Sequence, residues 1–120
     1  MSVRKLTAKP ESMAHFPDDK RYTWLELHSD GQTYGHAAVA ERDDALELHV
    51  TLTGWGSRVV RNMTEDLVWL KSEAKRRGKT RIMGIRANGQ GEFDHRLFKF
   101  ARLFGFTEMC VFQTASLYIK

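Results

Sequence analysis

Two arginines, Arg58 and Arg61, stand where a strand, a glycine-containing loop and a helix are predicted to follow one another. Positive charge at a helix N-terminus opposes the helix dipole, whereas an anion bound there makes the same charges favourable. Guanidinium groups pair well with phosphate oxygens, and the free amides of a helix start can bind the same anion. The spacing therefore predicts an anion site, with solvated loop arginines as the alternative interpretation.

A titratable pair, Glu47 and His49, lies two residues apart in a segment where apolar and polar residues alternate. Both side chains are therefore expected on one face of a strand, with Leu46, Leu48 and Val50 on the other. A carboxylate and an imidazole so placed could transfer a proton. The alternative is that they are exposed or hydrogen-bonded groups of an ordinary half-buried strand.

Other chemistry is poorly represented in the sequence. The histidines show no spacing typical of zinc sites, so we expect no metal. The single cysteine, Cys110, excludes an internal disulfide and is expected to be a buried, inert thiol. The chain contains no GxSxG, P-loop or GxGxxG motif, which argues against the common serine hydrolase and nucleotide-binding sites.

Length and charge restrict the remaining possibilities. A chain of 120 residues is long enough for one core but short for two. The net charge of +4 and the basic run at 75–81 are compatible with nucleic acid, although a helix end followed by a strand start also explains that run. No apolar stretch could cross a bilayer and no signal peptide is seen, so a cytoplasmic protein without membrane contact is expected.

The first predicted elements are β segments. Residues 1–21 contain both prolines and predict either a loosely structured N-terminal arm or a truncated first strand and helix. Three runs of alternating or small apolar residues follow, at 22–28, 33–40 and 46–52, separated by turn residues. They predict an antiparallel meander.

Helices and further strands are predicted after the meander. One helix ends in basic residues before Gly78, with an inner face formed by Val60, Met63, Leu67, Leu70 and Ala74. Asp94 can cap a second helix, with Leu97, Phe100, Ala101 and Phe104 facing the core. Strands are expected at Arg81–Ile85, Met109–Thr114 and Leu117–Ile119. The order β-β-β-α-β-α-β predicts an α/β fold with a mixed sheet.

This order of elements, over 22–120, resembles the core of the GNAT (Gcn5-related N-acetyltransferase) superfamily. The helix from Asp94 to Phe106 ends in Gly-Phe, as a signature helix of that family does. The run Arg58-Val59-Val60-Arg61-Asn62-Met63 is similar to the family's pyrophosphate loop, Gln/Arg-x-x-Gly-x-Gly/Ala. Here Arg61 and Met63 replace the two small residues of that pattern.

The resemblance implies a GNAT-like mixed sheet, an antiparallel meander followed by β-α-β-α-β, and an N-acyltransferase that uses acyl-coenzyme A. Acetyl-CoA would be bound, weakly, by residues 58–63 and Asp94. Either Glu47 or His49 would deprotonate an amine of a small molecule or protein. Ala101 stands where many members carry a tyrosine that protonates the leaving thiolate.

Three further possibilities accompany the resemblance. Small degenerate chains of this kind occur in bacteriophages, so a catalytically decayed GNAT-fold protein, acting as a binding or virion-associated module, is one alternative. A basic nucleic-acid-binding module is another, although no aromatic pattern supports it. Aromatic residues around the second helix, Phe93, Phe98 and Phe106, could form a homodimer interface.

Overall fold

A computed structural model describes residues 3–14, 16–17, 20–29, 31–54, 57–85, 95–108 and 115–119. The chain divides into two compact units, Met1–Ile85 and Arg86–Lys120. In order along the first unit, the elements are β1 (Val3–Lys5), a 3-10 helix (Glu11–Met13), β2 (Thr23–Ser29), β3 (Gln32–Arg42), β4 (Ala45–Leu52), α1 (Ser57–Arg76) and β5 (Arg81–Gly84). The second unit contains α2 (His95–Arg102).

The five strands of the first unit form one sheet in the order β1-β2-β3-β4-β5. The pairs from β1 to β4 are antiparallel, and β4 pairs with β5 in parallel across the α1 crossover. The predicted meander and the mixed α/β sheet are therefore confirmed. Gly78 has a φ of 73°, the left-handed conformation that ends α1 as predicted.

One face of the sheet packs against α1. Its centre is fully buried and contains Leu25, Val39 and Leu46. The predicted inner face of α1 needs a correction, since Val60, Met63 and Leu67 are only half-buried. The buried positions are Val59, Asp66, Leu70, Glu73 and Ala74. Two of the buried positions, Asp66 and Glu73, carry carboxylates that have bonding partners. The buried face of α1 is therefore rotated from the one that apolar residues alone predict.

The other face of the sheet is covered by the N-terminal segment. Met13, in the 3-10 helix, is fully buried against Trp24 of β2 and Ala38 of β3. Phe16 and Tyr22 pack against the same cluster. Residues 1–21, for which an arm or a short strand and helix were the alternatives, thus contain β1 and the 3-10 helix. Both faces of β2, β3 and the first half of β4 are covered as a result.

The second unit contains the amphipathic helix α2. The rings of Phe100 and Phe104 meet edge to face with centroids 5.2 Å apart, and Gly105 has a φ of 92° after the helix. The strand predicted at Leu117–Ile119 is wrong, because these residues are irregular and at least 87% exposed. Alternating apolar residues form a strand only where another strand pairs with them. Asp94, Cys110 and the strand predicted at Met109–Thr114 lie outside the described residues.

Candidate functional site

Glu47 is the most deeply buried carboxylate on the face of β4 that the N-terminal segment covers, with 2% of its surface exposed. Arg21 donates a hydrogen bond to its Oε1 at 2.8 Å, and Arg42 donates to the same oxygen at 3.2 Å. Nε2 of His49 lies 3.1 Å from its Oε2. The structure therefore brings the two predicted residues, Glu47 and His49, into direct contact and adds two arginines.

The charge of Glu47 is set by these partners. Burial alone raises the pKa of the Glu47 carboxyl, but hydrogen bonds from His49 and Arg21 and the charge of Arg21 outweigh it, so the pKa lies below its usual value. The hydrogen bond to Glu47 in turn raises the pKa of Arg21. Glu47 is consequently ionised near neutral pH. A carboxylate of lowered pKa is a weak base but a good hydrogen-bond acceptor for an imidazole.

His49 is held in a fixed orientation. Its ring packs edge to face against Phe16 and Tyr22, with centroid distances of 5.1 and 5.9 Å. In the neutral tautomer that donates Nε2–H to Glu47, Nδ1 keeps its lone pair and can accept a proton. The side chain is 15% exposed, so solvent reaches it. A carboxylate that orients a partly exposed histidine is an arrangement suited to general-base catalysis.

Arg21 and Arg42 were not predicted as site residues. The hairpin register, in which Arg42 lies opposite Ala45 and Ala40 opposite Glu47, offered a signal for Arg42. Arg21 lies 26 residues from Glu47, and nothing local points to it. Its guanidinium also lies 5.1 Å from the centroid of the Tyr22 ring, so one side chain contacts both the carboxylate and the aromatic wall of the site.

The predicted anion-binding residues lie at the start of α1 and divide into two groups. Arg58 and Arg61 are exposed, and the first turn of α1 contains no acidic residue. Val59 is buried in the core, and the side-chain Nδ2 of Asn62 donates a hydrogen bond to the Arg58 carbonyl at 2.8 Å. A ligand here could therefore use the two arginines and the amides of the first helical turn, while Val59 positions the helix. Val60 and Met63 are half-buried beside them.

Tyr34 is a site residue that the sequence pattern did not reveal. It is the extra residue of a β-bulge, since Leu27 lies opposite Gly35 and His28 opposite Thr33. Its carbonyl accepts hydrogen bonds from the amides of Thr53 and Gly54, at 2.8 and 3.1 Å. These two loop amides are therefore engaged within the protein, and a ligand would use amides further along, in α1.

The side chain of Tyr34 fixes α1 itself. Its hydroxyl donates a hydrogen bond to the carboxylate of Asp66, which is 4% exposed. Burial, followed by this hydrogen bond, raises the pKa of Tyr34 far above its usual value, so the hydroxyl stays protonated and donates. One residue thus holds both the loop that precedes α1 and the helix.

β4 is longer than the part of it that pairs with β5 among the described residues. The last hydrogen bond of that ladder runs from the Ile85 amide to the Leu48 carbonyl, at 3.0 Å, whereas β4 extends to Leu52. Because alternate residues of a strand direct their peptide groups to the same side, those of Val50 face the same way as those of Leu48. Val50, predicted to lie on the same strand face as Leu46 and Leu48, is 39% exposed. The second half of β4 can therefore present peptide groups beside His49.

The basic run at 75–81, which begins in the last turn of α1, is largely paired with carboxylates. Nζ of Lys79 lies 3.4 Å from a Glu41 oxygen, and Nε of Arg81 lies 3.1 Å from an Asp44 oxygen. The hydrogen bond from Arg81 is the largest cause that lowers the pKa of Asp44, and together with the charge of Arg81 it outweighs the opposing effect of burial. This pairing agrees with a helix end and a strand start, and it gives no support to a nucleic-acid surface.

Solved structures of acetyltransferases resemble this chain. An aminoglycoside acetyltransferase from an uncultured soil metagenomic sample, solved in complex with sisomicin, matches with a TM-score of 0.55 and 11% sequence identity, over 92% of this chain and 72% of that chain. The aminoglycoside N-acetyltransferase AAC(6')-Iy, solved in complex with CoA, matches with a TM-score of 0.52 and 13% identity, over 85% and 78% of the two chains. This chain has the GNAT fold.

The similarity of this GNAT-fold chain to other proteins lies in structure. No protein-family model matches its sequence, and no curated protein matches it. None of the helices in the part of the chain that the structure describes is both long and apolar enough to span a membrane.

Proposed function

We propose that this protein is an N-acyltransferase that transfers an acyl group, in the first instance acetyl, from coenzyme A to an amine. The observation that carries the proposal is the contact between Nε2 of His49 and the ionised Glu47 carboxylate, on a strand that continues past the described part of its ladder with β5. The GNAT fold supports it, because acetyltransferases share that fold. Acyl-CoA would supply the acyl group as a thioester, which the amine attacks with release of the thiol.

We assign the general base to His49. Oε1 of Glu47 already accepts hydrogen bonds from Arg21 and Arg42, and the lowered pKa makes this carboxylate a poor proton acceptor. Nδ1 of His49 would take the proton that the amine loses, directly or through water. Glu47 acts as a positioning residue, which holds the imidazole and stabilises its charge once it is protonated.

The start of α1 and the second half of β4 fit coenzyme A. Arg58 and Arg61 are exposed beside helix amides without a carboxylate in the first turn, a donor set suited to a pyrophosphate. The peptide groups of Val50 could pair with the amides of an extended pantetheine arm and could donate to the thioester oxygen. A contribution of Asp94 to coenzyme A binding is part of the same proposal. Weak affinity is expected, because Arg61 and Met63 stand where small residues allow a closer approach.

The acceptor is proposed to be an amine. Two similar structures are named as aminoglycoside acetyltransferases, which places polyamines among the acceptors to be tested. The experiment is a thiol-release assay with acetyl-CoA and a panel of neutral, cationic and anionic amines. Wild-type protein should release thiol only when an accepted amine is present, and mass spectrometry should find that amine heavier by one acetyl group. Coenzyme A binding without turnover on any amine would contradict the proposed activity.

A non-catalytic GNAT-fold binding protein, including the virion-associated type, is the second candidate. It is favoured by Arg61 and Met63, which stand where small residues would let the backbone approach a pyrophosphate closely. The two candidates differ in a single result, because only the enzyme turns over acetyl-CoA when an amine is added.

A further inference from the structure

An open pocket of about 580 Å³ lies where the chain leaves β1. The Leu6 amide donates to the Trp24 carbonyl at 2.9 Å, and the chain then turns away from β2. This turn leaves a concave surface against the beginning of β2, and its lining includes Lys9, Lys20, Tyr22 and Trp24, which define the lysine pocket. The volume is in the range that holds a small ligand.

The described lining of the lysine pocket carries positive charge. Among the described residues that line it, two carry ammonium groups and none carries a carboxylate. Lys9 is held in place, since its Nζ donates to the Phe16 carbonyl at 2.8 Å. Lys20 is exposed at the rim. Threonine hydroxyls and the aromatic rings of Tyr22 and Trp24 supply hydrogen bonds and apolar surface, so the lining suits a small anion better than a cation.

The same pocket adjoins His49. Tyr22 lines the pocket, and its ring centroid lies 5.9 Å from that of His49. Phe16, whose carbonyl holds Lys9, is also in contact with the His49 ring, at 5.1 Å. A ligand with its anionic group near the lysines would therefore lie one aromatic side chain away from the residue assigned as the base.

We propose that the lysine pocket binds the anionic group of the acceptor, so that the substrate is a small amine carrying a phosphate or a carboxylate. This inference rests on the proposed acyl transfer for its amine, and on the charge and lining of the pocket for its anion. A polycationic acceptor would be repelled by Lys9 and Lys20. Electrostatic attraction between the ammonium groups and the anion would orient the amine toward His49.

The test is an NMR titration of the ¹⁵N-labelled chain with three probes: phosphoethanolamine, β-alanine and ethanolamine. The first two carry an amine and an anion, and the third lacks the anion. Resonances of the lysine pocket, including the indole N–H of Trp24, should shift with phosphoethanolamine or β-alanine and not with ethanolamine. Whichever anionic amine binds more tightly identifies phosphate or carboxylate as the preferred group.

Charge-neutralising variants make the test specific. Lys20→Gln alone should weaken binding of the anionic amine several-fold, and Lys9→Gln with Lys20→Gln should weaken it at least tenfold. Lys71→Gln, which removes the same charge from an exposed position of α1, should change nothing. The inference is overturned if ethanolamine binds as well as phosphoethanolamine, if no probe shifts the pocket, or if Lys71→Gln weakens binding as much as Lys20→Gln.

A parallel titration with coenzyme A separates this inference from the proposed function. Coenzyme A should shift the first turn of α1 and leave phosphoethanolamine bound, which supports both. If coenzyme A binds and the anionic amines do not, the inference fails while the proposed function stands. If the anionic amines bind and coenzyme A does not, the anion site stands without acyl transfer. Displacement of phosphoethanolamine by coenzyme A would overturn the assignment of the pocket to the acceptor.

Discussion

The guanidinium of Arg21 lies 2.8 Å from Oε1 of Glu47, a carboxylate that is only 2% exposed. This contact joins the N-terminal segment to β4 and keeps Glu47 ionised. It also distinguishes the two members of the predicted catalytic pair, since Glu47 becomes an ion-paired acceptor and His49 is the member whose Nδ1 can take a proton. A role for the pair in proton transfer therefore predicts unequal effects of mutation.

Replacing His49 by Gln should reduce the turnover number about 10²-fold or more, because the general base is lost while the side chain keeps a similar size. Thiol release from acetyl-CoA measures this, with coenzyme A affinity expected to stay within two-fold. His28→Gln is the matched control, since His28 also lies beside a glutamate, Glu26, but in β2, two strands away from His49. Equal turnover in wild type and His49→Gln would remove His49 from the mechanism.

Replacing Glu47 by Gln should lower the free energy of unfolding at neutral pH. Arg21 and Arg42 are more than a third exposed and can turn to water, so the expected loss is about 1–2 kcal/mol. The lowered pKa of Glu47 contributes stability above the ordinary value of 4.5, which is lost as the pH falls through the lowered pKa. Urea titrations should show the difference between the two proteins at pH 7 and a smaller one near pH 3. A difference that grew toward acid pH would contradict the ion pairs.

Replacing Tyr34 by Phe should cost about 1–3 kcal/mol, because the buried Asp66 carboxylate loses a hydrogen-bond donor. The affinity for coenzyme A should fall several-fold as well, since Tyr34 connects the loop at 53–54 with α1. Tyr118→Phe is the matched control, at a side chain that is 87% exposed. A Tyr34→Phe protein as stable as wild type would show that this hydroxyl does not hold α1.

Replacing Gly35 by Ala should destabilise the sheet by about 1–3 kcal/mol through steric overlap. A Cβ at this position would lie 2.9 Å from the Thr51 carbonyl oxygen and 3.2 Å from a Leu52 methyl group. Gly54→Ala serves as the control, because the nearest atoms to its Cβ would be 3.8 Å away. Thermal unfolding of the two variants should therefore differ clearly, and equal melting temperatures would contradict the close approach of β4 to Gly35.

Local patterns in the sequence were sufficient to predict the meander and the termination of α1 by Gly78. Alternation over seven or more residues and a helix-ending glycine are determined by neighbours in the chain. The burial of Glu47 was not predictable in this way. It depends on Arg21, which is distant in sequence, and on Phe16 from a segment without regular periodicity.

The buried face of α1 illustrates the same limit. A search for apolar residues at helical spacing finds Leu70 and Ala74 but misses Asp66 and Glu73, which are 4% and 5% exposed. These carboxylates are buried with partners: Tyr34 donates a hydrogen bond to Asp66, and Lys5, Arg76 and Arg77 lie beside Glu73. Tyr34 and Lys5 come from strands of the sheet, so these two partners can be identified only once the sheet is assembled.

The measurement that tests the acyl-CoA proposal most directly is isothermal titration calorimetry of coenzyme A binding to the wild type and two double variants. Wild type should bind with a dissociation constant on the order of tens to hundreds of micromolar, which corresponds to about 5 to 6 kcal/mol. Arg58→Ala with Arg61→Ala should bind at least tenfold more weakly, whereas Lys71→Ala with Lys75→Ala, which removes two charges further along α1, should bind like wild type. The absence of any heat of binding for wild type at millimolar coenzyme A would contradict the proposed function.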